Sequence, residues 1–509
     1  MVTKLTIQKN RYVDSVTLMQ VRSKAMKVKG AVVAEVQMAT PANIDILKEL
    51  GFEVPAGAGP NDLICGITAE DEASLEKVQK TIEDAMDHKV DDEVTFTSLD
   101  EIDFAATGFN LVQISLPGEY AAEEAKKAIS YDCDVFIFSD NVSVEEELEI
   151  KEFGRAHGKL VMGPDCGVGL VDGICLGVGS IVRRGEIGIV GASGSGSQEV
   201  ACVIEKCGYG VTDIIGTGGR DLAKEIGGIT MIEGIKRLEA DPDTKVIALV
   251  SKLANTEVME KVLTFADGVS KPVVAVFLGG DESLFEGHKV RGSVSLEGAG
   301  LLAVEALTGK KEHLGYTDEE LAEIAKSEIA KLSPEQTNFR GLFCGGTFTE
   351  ESLIYFSQHN ADNELHTNLH NKYAKPLADH DVSVGNSILD LGAEDFTAIA
   401  PHPVFDSSLR VARLRKELED PTVAVVMIDF ITGPAVDEDP FTDIAAVAKE
   451  VNASGRHVVF IGAVCGSESD PQDVKTNTQV LRDSGFIVTG SNYQSTKLAS
   501  MMMTELGRR

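Results

Sequence analysis

None of the eight cysteines stands in a Cys-x-x-Cys pair; Cys65, Cys133, Cys166, Cys175, Cys202, Cys207, Cys344 and Cys465 are scattered over 509 residues. That argues against a disulfide framework and a structural zinc site, and most of these thiols read as small buried hydrophobes. Basic residues are in deficit. Lysine and arginine number 47 against 81 acids, a net charge of −34, which disfavours sequence-independent binding to nucleic acid or to anionic membranes. An anionic substrate must therefore meet a locally positive pocket. No apolar run approaches a membrane span and no basic-plus-apolar leader opens the chain, so the expected location is the cytoplasm.

What is present is an ordinary globular composition, 43% hydrophobic, long enough for about three or four domains. The chain is organised around residues 183–204. Glu186 to Val190 is a short apolar run, Gly191 to Gly196 a loop of small residues, and helical periodicity begins at Ser197, so strand, tight turn and helix are expected. A helix start offers unpaired N–H groups and a positive dipole end, and glycines let an anion reach them. Ser193, Gly194, Ser195, Gly196, Ser197 and Gln198 are the candidate phosphate ligands. The loop lacks a P-loop's Gly-Lys-Ser/Thr ending and a dinucleotide fingerprint's spacing; a turn with serine caps and no ligand is the plain alternative.

Residues 1–95 alternate helical and strand-like segments and read as a small α+β module that exits at Asp91-Asp-Glu93. Residues 96–184 read as a Rossmann-type α/β unit whose crevice would include Pro164, Asp165 and Cys166. Residues 185–315 begin with the glycine loop and carry a second one, Gly216 to Asp221, followed by a helix expected over 221–226. Gly218 and Gly219 there allow close approach, and Arg220 supplies a fork for phosphate or carboxylate unless it is spent in a surface ion pair. Residues 316–335 are an acidic helical linker. Residues 336–509 repeat the pattern: Gly341 to Thr347 echoes 186–204, Glu419 to Asp429 echoes Ala240 to Val250, and Arg456 to Gly462 echoes Lys271 to Phe277. Gly345, Gly346 and Thr347 then form the second glycine loop of a duplicated doubly wound domain, with about 24 residues inserted between His359 and Gly385. That insertion holds His359, His366, His370 and His380; no metal is assigned to them.

These motifs occur in the order and spacing of the succinyl-CoA synthetase α-chain, and residues 336–509 resemble the C-terminal domain of that enzyme's β-chain. The chain as a whole is similar to the FdrA family of acyl-CoA-synthetase-like proteins, through Gly191 to Gly196, Gly216 to Asp221, His402-Pro-Val-Phe-Asp-Ser-Ser-Leu-Arg410 and Gly466-Ser-Glu-Ser-Asp-Pro-Gln472. The resemblance implies a multidomain α/β fold: a small α+β module, a Rossmann-like CoA-binding-type domain and two flavodoxin-like succinyl-CoA-synthetase-like domains. It also implies a carbamoyltransferase subunit acting on carbamoyl phosphate and oxamate in allantoin breakdown, with companion subunits. Two alternatives stand beside it, a nucleotide-dependent acyl-CoA ligase that needs a partner chain, and a CoA- or nucleotide-binding module without turnover. CoA or a nucleotide is an open cofactor; no metal is expected. The synthetases relay phosphate through a histidine in a small-residue loop. Here Gly287-His288-Lys289 stands at that place without the loop, and Val250 to Asn255 lacks the accompanying carboxylate. The residues expected to carry chemistry are Arg220, His288, His402, Asp406 and Arg410, with Lys252 as a further carboxylate partner. Asp406 is four residues from His402, within reach to orient it, and Arg410 is placed to clamp a carboxylate; alternatively the segment caps the helix that follows.

Overall fold

The structure, a computed structural model, describes residues 1–13, 15–86, 96, 98–360, 364–398 and 400–508. It divides into two compact units, Met1–Thr107 and Gly108–Arg509.

In the first unit, β1 (Val2–Gln8), β2 (Ala31–Met38) and β3 (Leu63–Ala69) form an antiparallel sheet in the order β1-β3-β2. Helices α1 (Ser15–Met26) and α3 (Glu72–Met86) contribute Leu18, Val21, Leu75 and Val78 to a core with Val36 and Ile67. Helix α2 (Pro41–Glu49) starts at Thr40, whose hydroxyl accepts from the Asn43 N–H, and buries Leu47 with Phe52 and Ile64; α4 (Phe104–Thr107) is a single turn. The α+β expectation holds, with β1 as an unforeseen strand. The expected exit at Asp91 to Glu93 lies outside the described residues.

The second unit opens with β4 (Leu111–Ile114), α5 (Gly118–Ser130), β5 (Asp134–Ile137), α6 (Val144–His157) and β6 (Val161–Met162), a parallel three-stranded sheet. The hairpin β7 (Val168–Val171) and β8 (Ile174–Gly177) follows. Then come β9 (Arg184–Gly191), α7 (Gly194–Lys206), β10 (Val211–Gly216), α8 (Ile229–Ala240), β11 (Val246–Lys252), α9 (Thr256–Ala266), β12 (Val273–Leu278), β13 (Arg291–Ser293) and α10 (Leu296–Thr308). The sheet order is β13-β12-β11-β9-β10-β7-β8, so the hairpin, which lies before residue 185, belongs to the first repeat's sheet. The helix expected over 221–226 is a run of turns ending at Gly227 and Gly228, both with positive φ.

After the connector α11 (Asp318–Ile329), the second repeat runs β14 (Asn338–Phe343), α12 (Gly346–His359), β15 (Leu365–Thr367), β16 (Lys375–Pro376), β17 (Asn386–Asp390), α13 (Glu394–Thr397), α14 (Ser408–Leu418) and β18 (Val423–Ile431). It closes with α15 (Thr442–Ala453), β19 (Val459–Cys465), α16 (Val474–Asp483), β20 (Phe486–Thr489) and α17 (Asn492–Leu506). Its order, β16-β15-β17-β14-β18-β19-β20, is that of the first repeat read in reverse. The insertion thus supplies β15 and β16 at the sheet edge that β7 and β8 fill in the first repeat, covering a strand edge that would otherwise expose unpaired backbone groups.

The repeats meet through buried polar groups. Gln198 Nε2 donates to the Thr432 carbonyl (3.0 Å) and the Ser180 hydroxyl (2.7 Å), and Lys206 Nζ reaches the carbonyls of Val464 and Gly490. Asp470, in the segment 466–472, accepts from the Ile181 N–H, the Ser467 N–H and the Thr432 hydroxyl. Each repeat also caps a helix of the other. Glu199 Oε1 accepts from the Asn492 N–H at the start of α17 (3.0 Å), and Glu351 Oε1 from the Leu296 N–H at the start of α10 (2.9 Å).

Burial pushes the Glu351 carboxyl up to about 8, with Glu199 and Glu297 adding to the rise and hydrogen bonds from Asn492 and Leu296 opposing it. The folded protein therefore binds this proton more tightly than the unfolded chain. The stability so contributed is full below the ordinary value of 4.5 and is lost as pH rises through about 8. The melting temperature should accordingly fall between about pH 5 and about pH 9, and Glu351→Gln should flatten that slope. An unchanged slope in the variant would show that this carboxyl ionises freely in the folded protein.

Candidate functional site

Helix α7 begins at Gly194, so Gly194, Ser195 and Gly196 lie in its first turn rather than in a loop. Ser193 is the cap, its hydroxyl accepting from the Gly196 N–H (3.2 Å). The N–H groups of Gly194 and Ser195 meet no acceptor among the described residues. A side chain on Gly191 would collide with the Ser197 hydroxyl, which itself bonds back to the Ser193 carbonyl.

The second glycine loop comes to the same place. The Ser193 and Thr347 hydroxyls are 2.7 Å apart, so the starts of α7 and α12 face one another. Lys252, at the end of β11, crosses between the repeats to Glu350 Oε2 at 2.6 Å, and its charge partly offsets the rise that burial gives the Asp390 carboxyl.

The loops are alike in backbone and opposite in charge. Strands β17 and β18 flank β14 and place Asp390 and Asp429 beside its end. Asp429 accepts from the Cys344 N–H (2.9 Å) and the Gly345 N–H (2.8 Å). A Cβ on Gly346 would lie 2.9 Å from Asp390 Oδ2. In the first repeat the flanking positions are Gly216 and Val250, paired with Gly191. Four helix starts therefore gather at this interface. The Glu351 carboxyl, raised to about 8, caps α10 as a neutral acceptor, Glu199 serves α17 and Asp429 serves the loop that opens α12; among the described residues no acid serves α7. The Gly346 and Thr347 N–H groups of α12 likewise meet no acceptor among the described residues, but Asp390 and Asp429 lie beside that loop; a carboxylate at a partly buried helix start contributes about 1–2 kcal/mol, which leaves α7 as the start open to a ligand anion.

His402 lies over Gly392, where a Cβ would be 2.5 Å from its Nε2 and 2.9 Å from the carbonyl of Cys344, the residue that opens the second loop. Its Nδ1 accepts from the Val404 N–H (3.1 Å), so the neutral ring carries its proton on Nε2. Burial, with the Arg410 charge second, holds the imidazole down to about 4. It is a neutral donor at physiological pH.

Several expected site residues are placed elsewhere. Arg220 is not a substrate fork: its Nε binds Glu147 (2.9 Å) and its Nη2 the Val142 carbonyl (2.7 Å), tying α6 to the 216–221 loop beside the fully buried Lys151–Asp221 pair. His288 is not near either glycine loop. It precedes β13, at the edge where β12 begins, and its Nδ1 pairs with Asp267 (2.7 Å). Asp406 does not orient His402; its carboxylate accepts from the Ser408 N–H at the start of α14. Arg410 cannot clamp a carboxylate, because it is 2% exposed, bound to the Asp429 carbonyl, with Nη1 3.3 Å from Cys344 Sγ, and lies over the Phe430 ring. Cys166 is buried against Gly216, its thiol pushed up to about 12 by burial, and is chemically inert. Pro164, Asp165, Gly218 and Gly219 do come together, but as packed loops: the Pro164 carbonyl fills the space beside Gly218, and Asp165 lies by Gly219. Gln198 and Ser197 are spent on the interface and on the helix itself.

Asp390, Asp429, Glu199 and Glu351 are site residues that no sequence motif above singles out. Asp429 had a signal: it replaces Val250 in the echoed segment and stands in a strand buried at every position.

Residues 1–98 match the family described as "AllF, heavy metal-associated domain", 182–279 the "CoA binding domain" and 342–502 the "CoA-ligase" family. Escherichia coli YahF, described as an uncharacterized protein, is 38% identical over 508 residues, 98% of either chain. The chain belongs to the YahF family. The domains matched over 182–279 and 342–502 are of the acyl-CoA synthetase kind, and the CoA-binding match falls on the first repeat rather than on residues 96–184. The succinate–CoA ligase α-subunit of Staphylococcus epidermidis is 27% identical over 178 residues, 34% of this chain and 57% of that one. The acetyl-coenzyme A synthetase 1 of Ca. Korarchaeum cryptofilum aligns over 82% of this chain and 87% of that chain at 13% identity with a TM-score of 0.36, too loosely to carry an argument. In the first unit Cys65 is the one cysteine of residues 1–98, and among the described residues no group of three His, Cys, Asp or Glu gathers to hold a metal.

The asymmetry of charge predicts one phosphate per chain by titration calorimetry. Ser195→Ala should change affinity little, since backbone groups carry the seat, and Gly194→Val should abolish binding by covering them. Two equivalent phosphates per chain, or wild-type affinity in Gly194→Val, would remove the assignment to α7.

Proposed function

We propose that this chain is the acyl-transferring part of an enzyme of the acid–thiol ligase kind, acting on an acyl phosphate. The observation that carries the reading is the start of α7, unserved by any carboxylate among the described residues, facing α12 across Ser193 and Thr347 with Lys252 alongside. The phosphoryl group sits on the Gly194 and Ser195 N–H groups. The His402 Nε2–H donates to the acyl carbonyl oxygen as charge develops there, as a neutral imidazole can. The acceptor's nucleophile attacks the acyl carbon, the bond from that carbon to the bridging oxygen breaks, and inorganic phosphate leaves with the electron pair. CoA is the acceptor that the CoA-binding and CoA-ligase matches support. The pairing of His288 with Asp267 and Glu260 argues against a phosphohistidine relay, so formation of the acyl phosphate from a nucleotide is assigned to a companion chain.

That same pairing favours one narrower reading, in line with the FdrA resemblance. A protein that takes a preformed acyl phosphate can take carbamoyl phosphate, with oxamate as the acceptor and cytoplasmic companion subunits.

Arsenate-dependent release of free thiol from succinyl-CoA tests the first reading, because arsenate replaces phosphate and the acyl arsenate hydrolyses. Phosphate release from carbamoyl phosphate plus oxamate tests the second. His402→Gln should lower turnover by about a hundredfold, the effect of losing one oxyanion donor, and Lys252→Ala should weaken phosphate binding. His288→Ala should leave both activities unchanged. No release in either assay, with the chain alone or with its companion subunits, would sink the proposal.

A further inference from the structure

Asp390 is an acid beside the paired helix starts that gives only one carboxylate oxygen to the backbone. Asp429, its neighbour across β14, spends both oxygens on the second loop. Asp390 Oδ1 accepts from the Gly392 N–H (2.9 Å), the one side-chain hydrogen bond of this carboxyl among the described residues, and Oδ2 is turned to Gly346. Its main chain is braced on both sides by the Asn368 amide, which donates to the Asp390 carbonyl (3.0 Å) and accepts from its N–H (2.9 Å). The residue is 7% exposed and its carboxyl rests against Gly346, where a side chain would displace it. The first repeat has Gly216 at the corresponding position of the neighbouring strand. An acid here is therefore not required by the fold.

We propose that Asp390 is the base that takes the proton from the attacking nucleophile. The inference rests on the acyl-phosphate reading above. A thiol or amide acceptor approaching the acyl carbon loses its proton to Oδ2 as its bond to that carbon forms, while the acyl carbon–oxygen bond breaks and phosphate departs on the α7 side. The charged and titratable groups facing Asp390 are Asp429 from β18, Lys252 from β11 with its partner Glu350 on α12, His402 over Gly392, and the Cys344 thiol after β14, which the Asp390 charge helps to push up. Burial, with Asp429 adding to it, raises the Asp390 carboxyl to about 6, against the pull of the Gly392 N–H and Lys252. A base of that strength is mostly ionised at neutral pH and still accepts a proton readily.

The test is the pH profile of arsenolysis by the full chain. In the wild type the rate should fall as pH rises through about 6, because arsenolysis runs the step in reverse and only the protonated carboxyl can return the proton to the departing thiolate. Asp390→Asn should lower the rate at least tenfold and remove that limb, with phosphate affinity unchanged; Asp390→Glu should keep a limb at a shifted position. An Asp390→Asn enzyme that is slow but keeps the limb makes the residue structural, and one that is as fast as wild type overturns the proposal outright. Should Asp390→Asn fail to fold, a limb in Asp390→Glu that coincides with the wild-type one overturns it equally. A wild-type chain with no turnover at all would instead count against the acyl-phosphate reading.

Discussion

Four helices, α7, α10, α12 and α17, point their N-terminal ends into one interface between two copies of the same fold. Like dipole ends repel, so the arrangement is stable only if negative charge is brought to them. Glu199 does this across the interface for α17, Asp429 does it within the second copy, and Glu351, its carboxyl raised to about 8, offers α10 a carboxyl oxygen as a hydrogen-bond acceptor in place of a charge. Removing one partner from such a buried set leaves an unpaired donor or charge and costs about 1–3 kcal/mol. The same logic makes α7 the exception, and a helix start without its anion is a place for a ligand.

The duplication explains how one pattern yields two roles. A change at two strand positions, Gly216 and Val250 against Asp390 and Asp429, turns the second glycine loop from an anion seat into a self-occupied one. What the second copy then offers is a hydroxyl from Thr347, a neutral imidazole from His402 and a carboxyl from Asp390, groups that act on protons rather than on phosphate. Gly392 permits this by leaving room for the imidazole.

Motifs that look catalytic in a linear reading turn out to hold the frame. The segment from Ser467 to Gln472 clamps the loops at Ile181 and Gly433, and Arg410 is held by the Asp429 carbonyl and the Phe430 ring. A buried arginine and an exposed clamp have the same neighbours in sequence; only depth separates them. Within the motif His402 to Arg410, then, the histidine faces the second loop while Asp406 and Arg410 support the chain around it.

The sequence by itself determined the parallel α/β repeats, their duplication, the insertion and the glycine turn before α7. Each of these is written in local terms: apolar runs of strand length, glycines at a fixed offset, and echoes of one segment in another. Tertiary structure decided the rest. The insertion's replacement of the β7–β8 hairpin at the sheet edge depends on strand order, which no local pattern carries. The fates of Arg220, His288 and Arg410 depend on partners 73, 21 and 19 residues away, Glu147, Asp267 and Asp429. Above all, which helix start would lack an anion could be known only once carboxylates separated by hundreds of residues had been brought to the others, because a dipole is answered by whatever charge is near it in space.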